Sequence, residues 1–487
     1  MPAAEFQDRD AVVVGSGPNG LSAAITLARA GCAVTVVEAA DSLGGGSRSA
    51  ELTLPGYVHD VCSTVHALAL ASPALATLPL AEHGLELVQP DVPLAHPLDD
   101  GSAAVLYRSV TETAARLGGR DGRSYERLLG PLVEHSDGLM REVLGPLRPP
   151  LHPVTMARFG LVGLRSAIGL GRSRFDGPEG PALIAGSAAH SIMRLDQMPT
   201  AAVGLVLMTT AHAVGWPFAR GGSQRVVDAM TSYLRSLGGA TVTGRRVESI
   251  DELDGAAAVL LDVTPRQLLS IAGDRLRGGY RRGLRRYRYS PGVFKVDWAL
   301  DGPIPWRAEE ARRAGTVHLG GTAEELARSE DDANRDRIPE HPFVLLTQPT
   351  VHDPSRAPEG KHVGWAYCHV PHGCPEDMTE RIEAQVERFA PGFRDLVLGR
   401  SSLSAPEMEA YNANYVGGDI SGGTQDLRQL FTRPTVRPNP YTTSDPRLFL
   451  CSSSTPPGGG VHGMSGYFAA KAALRGVLKH TATRTGG

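Results

Sequence analysis

Gly15, Gly17 and Gly20, in the run Gly15-Ser-Gly-Pro-Asn-Gly20, together with Glu38, have the types and spacing that most directly imply chemistry. A G-x-G-x-x-G turn between a strand and a helix lays backbone N–H groups against a pyrophosphate. Gly15 permits the tight turn, Gly17 the close approach, and Gly20 the packing of helix on strand. The N-terminus of the helix adds partial positive charge for the phosphates. Glu38 ends the next strand and can take both hydroxyls of an adenosine ribose, which favours a dinucleotide without a 2′-phosphate. The elements that must position these residues are present in order. Residues 11–14 are an apolar β-branched run, 21–30 have helical spacing, Gly31 ends that helix, and 34–37 form a second strand, completing a βαβ unit.

Other chemistries find little support. The five cysteines (Cys32, Cys62, Cys368, Cys374, Cys451) are odd in number and lack a C-x-x-C pair, so neither a disulfide framework nor a metal site is expected, and a reducing cytoplasm fits. No Ser-His-Asp arrangement is supported by its surroundings. The 49 basic and 52 acidic residues leave a net charge of -3 and no basic field for a nucleic-acid partner. Residues 1–10 contain Glu5, Asp8 and Asp10 and no apolar core of a secretory signal. Residues 199–219 carry no charge, but their Thr, Gly, His212 and Pro217 favour a buried helix over a membrane span.

Leu43-Gly-Gly-Gly-Ser-Arg48 follows the second strand, and Leu450-Cys-Ser-Ser-Ser-Thr-Pro-Pro-Gly-Gly-Gly-Val-His-Gly-Met464 returns ahead of a final helix. With the first fingerprint, these segments resemble the FAD-dependent amine oxidase and carotenoid (phytoene) desaturase superfamily, closest to its phytoene desaturase-like branch. Pro217-Phe-Ala-Arg-Gly-Gly-Ser223 is similar to its mid-chain glycine stretch, and Ala390-Pro-Gly-Phe393 to a late helix end. The resemblance covers nearly the whole chain but is only general between residues 80 and 219. It implies FAD as cofactor. Gly15, Ser16, Gly17, Asn19, Gly20, Glu38 and Ala39 would line its ADP half. Gly45, Gly46, Ser47 and Arg48 would follow the pyrophosphate and ribityl chain, and Val247 would meet the adenine. Gly459, Gly460, Val461 and His462 would sit under the isoalloxazine, near the positive end of the last helix, where negative charge on a reduced flavin is stabilised. Two departures stand out: Cys451-Ser452 replaces a small-residue and acidic pair, and 251–263 is shorter than the usual hairpin.

The resemblance further implies a catalytic role for Lys295, since related amine oxidases hold a water near flavin N5 with a lysine on the equivalent strand. An exposed strand lysine is the alternative. The other three lysines (Lys361, Lys471, Lys479) read as surface or helix-end residues. His462 is a candidate acid/base or substrate contact, or else fills its glycine turn. His59, Asp60 and His66 read as structural. Only one dinucleotide fingerprint is present, so electrons would leave to oxygen, a quinone or another small acceptor. The implied reaction is hydride transfer from a C–C bond of an apolar, unsaturated, polyene- or isoprenoid-like substrate to flavin N5. The alternatives are a redox-neutral polyene isomerase, an amine oxidase and a flavin-binding scaffold. Arg158, Arg165, Arg172 and Arg174 punctuate an apolar stretch, and a basic amphipathic element of this kind either lies on a membrane or packs on its own domain.

The fold class expected is mixed α/β: a Rossmann-type FAD-binding domain with a parallel sheet, interleaved with a substrate-binding domain of mixed sheet and inserted helices. Residues 9–80, 217–285 and 440–480 are assigned to the first and 81–216 and 286–439 to the second. Segments 80–219 read as mainly helical, with helices at 123–147 and 181–198. Residues 247–250 read as strand-like, 293–300 as a strand around Lys295, 378–389 as a helix, 448–451 as a strand and 463–478 as the last helix. The cytoplasm, with contact to a membrane surface as an added option, is the expected location.

Overall fold

The computed structural model describes residues 6 and 9–479 of the 487. Residues 1–5, 7 and 8, which carry most of the expectation about a leader, lie outside the described residues, as do 480–487. Two sheets organise the chain. The first is all parallel, with strand order Leu448–Leu450, Ala258–Leu261, Ala11–Val14, Val34–Val37, Ala240–Val242. The four central strand residues Ala11, Val12, Val13 and Val14 are buried on both faces, as a parallel sheet covered by helices requires. Helices Pro18–Ala28, Gln224–Ser236 and Met464–Arg475 cover one face. Helices Pro265–Ala272 and Gly278–Arg285 pack with the other.

The second sheet is mixed, in the order Val397–Leu403, Gly292–Leu300, His362–Val370, Val344–Thr347, Ala314–Leu319, Val92–Pro97, Ala103–Leu106. Its pairings are antiparallel except for Ala314–Leu319 with Val92–Pro97. Strand Gly292–Leu300 alternates cleanly. Phe294, Val296 and Trp298 enter the core beneath helix Thr379–Phe389, while Val293, Lys295 and Asp297 face the opposite way. The long segment between the sheets supplies helices Val110–Leu117, Gly119–Glu134, Ser136–Val143, Pro153–Gly163, Ala167–Arg174, Glu179–Ala189 and Thr200–Ala213, which roof that opposite face.

Several sequence expectations change. Residues 80–219 are not only helical, because 92–97 and 103–106 form two strands of the second sheet. The helix expected over 181–198 stops at Ala189, and Ile192 adopts φ 54°, a left-handed conformation that a helix cannot contain. The helix expected over 123–147 is divided at His135. Residues 247–250 do not form a strand; Ser249 caps a short 3₁₀ turn at Ile250–Leu253. Thr200–Ala213 is the buried helix foreseen, and no described helix is long and apolar enough to cross a membrane.

Candidate functional site

A cavity of about 870 Å³ opens where the C-terminal ends of the parallel strands meet the roofed face of the mixed sheet. Its two ends differ in chemistry. The polar end is lined by Gly15, Ser16, Gly17, Asn19, Glu38, Ala39, Gly45, Gly46, Ser47, Arg48 and Val247. Gly15 has φ 97°, which excludes an ordinary side chain, and a Cβ on Gly20 would stand 2.1 Å from the Gly15 carbonyl oxygen. Gly20 therefore lies behind the loop rather than on the cavity wall, and serves by letting helix Pro18–Ala28 close on the first strand. Pro18 starts that helix with a residue lacking the N–H that would have no helical partner.

Glu38 is held in place by the chain itself. Its Oε2 accepts from Ser16 N–H (3.0 Å) and Ser16 Oγ–H (2.6 Å), and its Oε1 accepts from Ala40 N–H (2.9 Å). Arg48 stands 3.4 Å from Oε1 and donates to the Ser42 carbonyl, while its Nε has no partner. Asn19 Oδ1 is likewise buried without a partner. Gly45 and Gly46 keep this end open: a Cβ at Gly45 would lie 3.1 Å from Gly17 Cα, and one at Gly46 would lie 2.0 Å from Tyr415 Oη. A cradle of close-packed glycines, unpartnered polar atoms and an oriented carboxylate at a helix N-terminus fits the ADP half of FAD. Gly459, Gly460 and Val461 line the same cavity from the C-terminal segment.

Asp262 was missed by the sequence reading. It ends strand Ala258–Leu261, its Oδ2 accepts from Gly20 N–H at 3.0 Å, and it lines the polar end. Burial raises its carboxyl to about 7 against the Gly20 hydrogen bond, with the charge of Glu38 adding to the rise. Its only signal in the sequence was an acid closing an apolar strand.

The other end is apolar. Its floor is the mixed sheet, where Trp365, Thr347 and Thr316 form one cross-strand row and Tyr367 and Leu345 the next. Its roof includes Val203 and Leu207 of helix Thr200–Ala213, with Ile192, Leu68 and Ile420. Trp216 Nε1–H donates to Thr316 Oγ1 at 2.9 Å, and Trp365 Nε1–H donates to Thr64 Oγ1, so both indoles are fixed.

Neither residue expected to be catalytic lines this cavity. Lys295 continues the Tyr367 row on the same face, but it is buried and ion-paired with Asp297. Its ammonium lies 5.5 Å from the centroid of the Trp365 ring, one side-chain layer outside the space. The exposed-strand alternative is thereby corrected as well. Burial lifts Asp297 to about 6 against the pull of Lys295, and His59 Nδ1 lies 3.6 Å from its other oxygen. His462 is 1% exposed. Its Nδ1 accepts Met464 N–H at 3.1 Å, so Nε2 carries the proton and donates to the Gly458 carbonyl at 3.2 Å. Both nitrogens are spent on shaping the glycine turn and capping the last helix, and burial lowers the ring to about 4. His66 bonds Ser223 Oγ, and Asp60 joins Arg356 in a fully buried ion pair, which places both in the frame.

Residues 13–78 match the NAD(P)-binding Rossmann-like domain family. A zeta-carotene-forming phytoene desaturase of Myxococcus xanthus is 26% identical, with 94% of this chain and 92% of the relative aligned. The mouse pyridine nucleotide-disulfide oxidoreductase domain-containing protein 2 is also 26% identical, over 96% of this chain and 93% of its own. Among solved structures, an oxidoreductase from Methanosarcina mazei superposes with a TM-score of 0.63 at 15% identity, covering 96% of this chain and 99% of that one. Putrescine oxidase bound to putrescine superposes at 0.60 and 18% identity, covering 97% and 99%. Fingerprint, two-sheet fold and full-length relatives agree: the chain is an FAD-dependent oxidoreductase, similar in sequence to phytoene desaturases and sharing its fold with amine oxidases.

Proposed function

We propose that this oxidoreductase acts on C–C bonds of an apolar, unsaturated substrate, polyene- or isoprenoid-like, held at the apolar end of the cavity. The observation that carries the reading is the composition of that end. Trp365, Tyr367, Leu345, Ile192, Val203, Leu207 and Ile420 form its walls, and the carboxylates lining the cavity (Glu38, Glu248, Asp262) stand with the nucleotide-binding residues. A site for a diamine needs a negative partner where the cation lies, whereas an apolar chain gains about 25 cal/mol per Å² buried against such walls. Bound FAD would supply the two-electron acceptor, reoxidised by oxygen or a quinone. The chain's own contribution is to fix Trp365 and Trp216 by hydrogen bonds, so that the reacting carbon is presented in one orientation, and to exclude water.

The outer surface supports the same reading. Leu147, Leu151, Val154, Leu161 and Leu164 are exposed on and either side of helix Pro153–Gly163, Leu161 to 79%. Arg148 and Arg158 lie among them, and this helix packs beside Thr200–Ala213, whose Val203 and Leu207 line the cavity. We place this face against an anionic lipid surface, from which an apolar substrate would enter.

The test is anaerobic mixing of flavin-loaded protein with a C40 polyene hydrocarbon. Bleaching of the flavin with a product lighter by two hydrogens is the expected result. A shifted polyene spectrum at unchanged mass would instead make the protein an isomerase, and peroxide and ammonia from amines would make it an amine oxidase.

A further inference from the structure

We propose that His190, His318 and His96 form a proton relay whose first member, His190, accepts a proton from a molecule bound at the apolar end of the cavity. None of the three carries a sequence motif, and they come from three elements. His190 caps helix Glu179–Ala189, His318 lies on strand Ala314–Leu319, and His96 lies on strand Val92–Pro97. The parallel pairing of Thr316 with Leu94 sets His318 and His96 two residues further along the same face. His318 also pairs with Leu345, which lines the cavity floor.

The hydrogen bonds run in one direction. A carbonyl only accepts, so the 2.6 Å contact between His96 Nε2 and the Gly321 oxygen fixes the proton of His96 on Nε2 and leaves a lone pair on Nδ1. That Nδ1 is buried without a partner, as is Nδ1 of His318. Both point at the space beside Gly186, where a Cβ would lie 2.6 Å from His318 Nδ1 and 3.2 Å from His96 Nδ1. The two nitrogens are not in direct hydrogen-bond contact, and a proton on His318 Nδ1 serves both through one bridging water. His318 Nε2 is then an acceptor, and 3.2 Å away His190 Nε2 must be the donor. His190, which lines the cavity, is left with a basic lone pair on Nδ1.

The remaining titratable groups make this arrangement usable. Burial keeps His190 and His96 neutral, each lowered to about 4, and holds His318 well below its ordinary value, so the resting relay is uncharged. Cys62 and Tyr367, which also line the cavity, are pushed up by burial and keep their protons. His369, which disfavours charge on His190, is tied to Glu330 at 2.7 Å, with Phe343 between it and His318. Beyond His96, Glu325 favours a positive charge and reaches the surface in an ion pair with Arg388, itself bound to Asp99.

The step balances with FAD, when bound, as the hydride acceptor. This part rests on the oxidoreductase reading, in which a hydride leaves to the FAD and a C–H bond releases H⁺ with its electron pair forming the new C=C bond. That proton forms an N–H bond at His190 Nδ1. The Nε2 proton of His190 passes to His318 Nε2, and the bridging water takes the Nδ1 proton of His318 as it gives one of its own to His96 Nδ1. Two neutral rings remain, and the positive charge rests on His96 beside Glu325.

The experiment is ¹⁵N NMR of flavin-loaded, ¹⁵N-histidine-labelled protein, assigned with single His→Gln variants, joined to anaerobic flavin bleaching by the C40 polyene. His190 and His96 are expected as Nε2–H tautomers and His318 as Nδ1–H. Gly186→Ala, which places a methyl between the two Nδ1 atoms, should invert or mix the His318 tautomer while flavin content is retained. His190→Gln should slow bleaching at least tenfold. A proton on His190 Nδ1 in the resting protein overturns the relay, and so does bleaching unchanged in both variants. If the wild-type flavin is bleached by no polyene, the substrate reading fails, and the tautomers alone decide the relay.

Discussion

Replacing Asp262 by Asn removes a titration while keeping an acceptor for Gly20 N–H, and so isolates what the buried carboxyl does to the fold. In the native state its pKa rises from an ordinary 3.8 to about 7. The folded protein therefore retains, between those values, a proton that the unfolded chain has lost. The unfolded state binds fewer protons in this window, so stability falls as pH rises from about 4 to about 7, and is flat with respect to this group outside it. At 1.36 kcal/mol per pH unit the total is about 4 kcal/mol, an upper figure for a fully buried group. Asp262→Asn should match wild type near pH 4 and exceed its stability by up to that amount above pH 7. Urea unfolding of flavin-free protein followed by circular dichroism at pH 4.5, 6 and 8 measures the difference, and the subtraction cancels the other carboxylates and histidines. A difference constant to within about 1 kcal/mol across this range would refute the assignment. Because FAD brings two phosphates to the same end, its affinity should also weaken as pH rises above 7 in wild type and stay level in the variant.

Gly46→Ala would set its Cβ 2.0 Å from Tyr415 Oη and should cause loss of flavin during purification. Adding Tyr415→Phe removes the clashing oxygen, and flavin content measured by absorbance should recover. Lys295→Met leaves Asp297 buried without its partner, a cost of about 3–5 kcal/mol visible as a lowered Tm and restored by Lys295→Met with Asp297→Asn; an unchanged Tm would mean the pair does not hold the sheet face. Flotation with vesicles containing anionic lipid should recover wild-type protein and lose a Leu151→Glu, Leu161→Glu double variant, and equal recovery of the two would remove the lipid-facing assignment.

The nucleotide end was legible because its demands are local. A turn with φ 97° at Gly15, a helix that must touch the first strand at Gly20 and a strand-terminal Glu38 all act within one βαβ unit, where spacing alone selects residue types. Lys295 shows how far such reading carries. Lys295-Val-Asp297 on a strand places both charges on one face, so their pairing was readable, but the position of that face relative to the cavity was not. His462 was misassigned because a histidine in a glycine-rich turn has the same sequence signature whether its ring meets a ligand or caps Met464 N–H. The strand at 92–97 was hidden by Pro93 and Pro97, which argue against a sheet interior. The structure accommodates them because pairing with Ala103–Leu106 begins at Leu94, after the first proline, and ends at the second.

That hidden strand bears directly on the chemistry. It brings His96 beside His318, and no pattern within either segment announces the pairing. At the nucleotide end, charge is managed by backbone N–H groups, a helix terminus, Glu38, Arg48 and Asp262. At the apolar end the wall is built largely of Trp, Leu, Ile and Val side chains, with the Thr316 and Thr64 hydroxyls engaged by Trp216 and Trp365. On the proposed reading, a reaction that removes a hydride there must also dispose of a proton, and the apolar walls keep bulk water away. With Cys62 and Tyr367 held protonated and Lys295 paired to Asp297, His190 is a lining imidazole at that end with a basic lone pair to offer. On the proposed reading, the dryness that selects the substrate calls for an internal acceptor for the proton, and the row of His190, His318 and His96 supplies one, with Glu325 favouring the charge at its far end.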